Sequence, residues 1–140
     1  MASISLTSTK IRTLEGALVR NYKTGAAVTV GYAVYLDSSG YVQHADANAS
    51  EAAARAMGIV VQSKDGETSV TSGDRCSVCV FGPVGGYSGM TPGEPVYNSA
   101  TVGRLDQTSP TGGVYVQAFG RADSATVIYV NPDVADPSSV

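Results

Sequence analysis

Residues 86–105 read GYSGMTPGEPVYNSATVGRL, a run in which glycine and proline turns alternate with very short apolar stretches. Thr91-Pro92-Gly93-Glu94 places proline where a turn wants φ pre-set and glycine where a type II turn needs positive φ, so the chain reverses there. Val96-Tyr97 begins a strand, and Asn98 to Gly103 supplies another reversal before Arg104-Leu105. Short strands joined by tight turns predict a β domain, and no catalytic set appears among these residues.

The same rhythm continues outward. Val28, Val30, Tyr32, Val34 and Leu36 alternate with Thr29, Gly31, Ala33 and Tyr35, which predicts a strand with one buried face. Asp37 to Gly40 is a turn, with residues 41–44 returning as its hairpin partner. Further strands are expected at 58–62, 67–71, 74–81, 94–98, 114–119 and 125–130. The Ala-rich segment 48–57, with Asn48 or Ser50 as N-cap and Gly58 as stop, is the one expected helix. A parallel βαβ fold needs a helix between successive strands, so the expectation is all-β: a compact sandwich or barrel with one short helix and an extended N-terminal arm. The division expected is arm 1–23, β-rich domain 24–132 and polar tail 133–140.

The chain has 140 residues, enough for one domain that buries roughly two-thirds of its unfolded surface. Only 15% of residues are charged, against about 25% in an average domain. This lightly charged surface fits a protein that works within an assembly. The net charge of −3 is uneven: Lys10, Arg12, Arg20 and Lys23 face a single acid, Glu15, in the first 23 residues, so that segment is basic and the body acidic. A basic arm on an acidic body suits an acidic partner or a neighbouring copy, and equally a solvated terminus. Cations are too sparse for phosphate neutralisation, so direct nucleic-acid binding is not expected. No run approaches 18 consecutive apolar residues, which excludes a helical membrane span. The first nine residues lack a basic and apolar leader, so synthesis in a cytoplasm without export is expected.

Candidate chemistry is thin. Cys76-Ser77-Val78-Cys79 has C-x-x-C spacing, but thiols three apart on a strand point to opposite faces, so both are read as structural. Gly82 to Gly89 imitates a phosphate-cradling loop, yet Pro92 and Pro95 follow and no lysine does, so a connection between strands is expected. His44 is the sole imidazole and cannot identify a triad or a metal site. Neither enzymatic activity, a cofactor nor a metal is expected. Tyr22, Tyr32, Tyr35, Tyr41, Tyr87, Tyr97, Tyr115 and Tyr129 suit the rim of a small β core. Their alternative use is a carbohydrate-stacking surface, which lacks support from any tryptophan.

The order of arm, residues 25–36, Ala-rich segment leading to Met57-Gly58-Ile59-Val60, Gly82-Pro83-Val84 loop and Gly93-Glu94-Pro95-Val96-Tyr97 strand resembles the capsid decoration (cement) proteins of tailed bacteriophages. Residues 81–105 and 116–122 carry most of the likeness. The resemblance implies a homotrimer on the outer surface of the virion capsid, bridging major capsid protein subunits at three-fold positions and stabilising the DNA-filled head. It implies Lys10, Ile11, Arg12 and Thr13 as capsid contacts, through strand addition and charge. Deleting residues 1–13 is then expected to weaken attachment while leaving a folded body. The alternative reading is a carbohydrate-binding module on the virion surface.

Overall fold

A computed structural model of the chain describes residues 4–110, 115–132 and 138–139. Its strands are β1 (Ser5–Leu6), β2 (Arg12–Thr13), β3 (Leu18–Lys23), β4 (Val28–Thr29), β5 (Ala33–Leu36) and β6 (Val42–His44). After the single helical turn α1 (Glu51–Ala54) come β7 (Gly58–Ser63), β8 (Ser69–Val70), β9 (Arg75–Gly85), β10 (Tyr87–Ser88) and β11 (Pro95–Asn98). The remainder are β12 (Leu105–Asp106), β13 (Tyr115–Val116), β14 (Ala118–Ala122), β15 (Val127–Val130) and β16 (Ser138–Ser139). The fold is all-β, a curled antiparallel sheet forming a half-barrel with one short helix and an extended N-terminal segment.

The eleven-residue strand β9 organises the sheet. Its first part, Arg75 to Phe81, lies between β3 and β7; its second part, Gly82 to Gly85, lies between β2 and β15. On one side β7 leads to β5 and β6, and on the other β15 leads to β14, β11 and β12. The change of partners falls at Gly82, whose φ is +104°. A Cβ there would come within 2.7 Å of the Ala17 Cα, so only glycine lets the strand turn beneath residues 16–17.

One apolar cluster lines the inside. Val34, Val42, Val60 and Val78 come from the first half of the sheet, and Val84, Val96, Phe119, Ile128 and Val130 from the second. Ile4, Ile11, Tyr87 and Met90 join the cluster from the N-terminal segment and from the stretch after β9. Each fully buried aliphatic or aromatic side chain contributes roughly 1.5–3 kcal/mol relative to exposure.

Several expectations are corrected. Residues 28–36 form two strands, because the chain turns at Gly31, with φ +97° and its N–H donated to the Val60 carbonyl at 2.7 Å. A Cβ on Gly31 would meet Ile11 at 2.9 Å. Leu36, expected on the buried face, is 45% exposed at the hairpin end. The helix is four residues rather than ten: Ser50 caps it by accepting the Ala53 N–H at 3.1 Å, and Gly58 opens β7 instead of ending the helix. The Gly82-Pro83-Val84-Gly85 stretch is strand, not loop. Pro83 sits within it opposite Tyr129, and its carbonyl accepts the Leu14 N–H at 3.1 Å. The expected 114–119 strand is two strands, β13 and β14, interrupted at the buried Gln117, with Val114 outside the described residues.

Other expectations hold. The Thr91–Glu94 reversal is present, with Gly93 at φ +83° and the Glu94 N–H reaching the Thr91 carbonyl at 3.4 Å. The β5–β6 hairpin is held at Asp37, whose carboxylate accepts from the backbone of Ser39 and Tyr41 and from the Gln43 amide.

Candidate functional site

The basic N-terminal segment is extended, and its strands are all paired to the body. β1 lies on β10, β2 on the end of β9 and β3 along the start of β9. Further bonds secure the connections: the Thr7 N–H donates to the Gly86 carbonyl at 3.0 Å and the Ser8 hydroxyl to the Val30 carbonyl at 2.9 Å. Of the four candidate contact residues, Lys10 and Arg12 are exposed and Thr13 is half-buried. Ile11 points inward, 8% exposed, and packs in the core, so its role is to fasten the segment rather than to meet a partner.

Beside this segment lies a groove of about 460 Å³. Its lining includes Arg12, Thr13, Val19, Gln62, Glu67 and Ser77. The lining is rich in hydroxyls and contains no tyrosine, so it offers hydrogen bonds without a ring for a sugar to stack on.

The groove borders β3, an edge strand. Among the described residues β3 has β9 as its one strand neighbour, and Leu18 to Asn21 are all exposed. Thr24, just beyond, bridges to Val42 of β6 and closes the sheet on itself at that end. The Lys23 ammonium sits 5.2 Å from the centre of the Tyr41 ring. Leu18, 56% exposed, lies opposite Phe81, 42% exposed, and Phe81 meets Tyr129 edge-to-face at 5.5 Å. Tyr129 in turn lines a shallow depression of about 880 Å³ on the outside of β14 and β15, with Arg121, Asp123 and Asn131.

Of the remaining candidates the two thiols are buried and His44 is half-buried. Cys76 and Cys79 are free thiols within the core; Cys76 lies opposite Ser63 and Cys79 opposite Ile59. Burial pushes the Cys76 thiol up to about 11, only partly offset by the Arg75 charge, and it raises Cys79 as well. Neither is poised as a thiolate at neutral pH. His44 Nε2 accepts the Thr29 N–H at 2.9 Å, and burial lowers its affinity for a proton. Tyr32 packs against the imidazole with ring centres 4.9 Å apart. Among the described residues no three His, Cys, Asp or Glu side chains gather in a way that would hold a metal ion.

The sequence singled out residues 10–13 but missed β3. Its Leu18-Val19-Arg20-Asn21-Tyr22-Lys23 order has no period because an exposed edge strand has no buried face to enforce one. The signal available was the basic charge of Arg20 and Lys23 beside two aliphatic residues. No protein-family model matches the chain, and no curated protein matches it.

Proposed function

We propose that this chain is a non-enzymatic capsid decoration protein of a tailed phage, binding the outside of the shell as a trimer and bridging major capsid subunits. The observation that carries the reading is the largely exposed, basic and partly apolar N-terminal segment, Lys10, Arg12 and Leu18 to Lys23, paired along the β body. A fixed face loses little freedom on docking, and a basic one complements an acidic lattice. A protein that binds the assembled, expanded lattice and not separated subunits stabilises that lattice, and three linked copies multiply weak contacts. Shells stripped of accessory protein and mixed with this chain are expected to bind it saturably on co-sedimentation and to survive heating better; shells that pellet clean at saturating protein would overturn the reading.

The carbohydrate reading has one observation in its favour, the placement of Tyr129 beside Arg121, Asp123 and Asn131 in an open depression. Saturable glycan binding abolished by Tyr129→Ala in a folded protein is the result that reading requires.

A further inference from the structure

The register of β3 decides which of its backbone groups are committed. Thr24 donates to the Asp74 carbonyl at 2.9 Å in the continuation of the β3–β9 register. Hydrogen-bonded positions alternate along an antiparallel pair, so Tyr22 and Arg20 also turn their backbone groups toward β9. Val19 and Asn21 turn theirs outward, whereas beyond them the Thr24–Val42 bridge, with the Gly25 N–H on the Val42 carbonyl at 3.0 Å, sets β6 against the outward side of Lys23. The Arg75 guanidinium lies 3.4 Å from the Asn21 carbonyl and 3.2 Å from its side-chain oxygen, and at the Lys23 end the ammonium faces the Tyr41 ring. The open rim, Leu18 to Asn21, is a template for another short extended chain.

Charge and apolar surface narrow the occupant. Arg20, Lys23 and Arg75 are exposed along the rim, and Arg12 stands at the neighbouring groove. The acids nearby are Glu67 in the groove lining, the exposed Glu15 ahead of β3, Asp74, which is paired with Lys64 at 3.4 Å, and Asp37, whose carboxylate beside Gly25 is engaged by Tyr41 and Gln43. Cations on an edge repel a like-charged strand, which keeps copies of this rim from pairing with one another, and they attract an acidic one. Val19 is 41% exposed, and with Leu18 and Phe81 it offers an added strand apolar contact.

We propose that the outer edge of β3 is a strand-addition site for an extended, acidic segment of a capsid subunit; this rests on the capsid reading above and names the site and the partner chemistry. Asn21→Pro tests the backbone part, because it removes an outward N–H and leaves the β9 ladder its own bonds. The double variant R20E/K23E tests the charge and asks nothing new of the backbone. Wild type and both variants are compared for thermal melting and for binding to expanded shells lacking accessory protein. Variants that melt like wild type and bind at least about tenfold more weakly support the proposal. A folded Asn21→Pro that binds like wild type overturns strand addition, and unchanged binding by R20E/K23E overturns the acidic partner. If Asn21→Pro does not fold, amide hydrogen exchange of wild type with and without expanded shells takes its place: protection of the Val19 and Asn21 amides on binding supports strand addition, and unchanged exchange overturns it. Failure of wild type itself to bind overturns the capsid reading, and the inference with it, whereas loss in the variants alone leaves that reading standing.

Discussion

His44 is the only histidine in the chain, and its structural work needs the neutral ring, because Nε2 must accept the Thr29 N–H. Burial holds its proton affinity below the ordinary value of 6.5 that the unfolded chain shows. The unfolded state therefore binds more protons between those two values, and stability falls as pH drops from about 6.5 through the folded value. Melting temperature is expected to decline over that window in wild type and to change much less in His44→Gln; parallel profiles would contradict the assignment. The two thiols make a second prediction at this scale. With both buried and both pushed up in proton affinity, Ellman's reagent is expected to react slowly with the folded protein and promptly with both thiols in urea. Rapid reaction of the native protein would place a thiolate where the fold puts a core side chain. C-x-x-C spacing alone was readable as structural, since it falls on a strand.

The elements differ in how legible they were. The turns at Asp37–Gly40 and Thr91–Glu94 follow from local chemistry, and the structure has both. Glycine and proline hid the second half of β9, because residues that ordinarily end strands serve here to bend one between two sets of partners. The Ala-rich segment overstated its helix. Backbone bonds at its C-terminal end are taken by tertiary partners: the buried Gln117 amide accepts from the Ala56 N–H and donates to its carbonyl, each at 2.9 Å. The N-terminal strands had the least signal, since their partners lie far along the chain, from Arg75 opposite Lys23 to Ser88 opposite Ser5. Their pairing reverses the expectation for a truncation. Deleting residues 1–13 removes Ile4 and Ile11 from the core and strips β2 from β9, costing about 3–6 kcal/mol at roughly 1.5–3 kcal/mol per side chain, a large share of a typical domain's stability. A marked fall in melting temperature or loss of folding is expected; an unchanged melt would show that the segment is not part of the core.

For the whole molecule, sequence pattern reached the class of fold but not the path of its sheet. Long-range pairing sets that path, and a central strand that serves both halves cannot be read from local periodicity. The result is a β body with its basic segment bonded in place, the arrangement that the proposed bridging of a lattice requires, with the β3 edge as the proposed surface for a partner chain. The most direct measurement is cryo-electron microscopy of expanded shells, free of accessory protein and incubated with this chain at saturation. Added density at three-fold positions, with β3 against an extended segment of a capsid subunit, is the predicted result; shells bearing no added density would contradict the account.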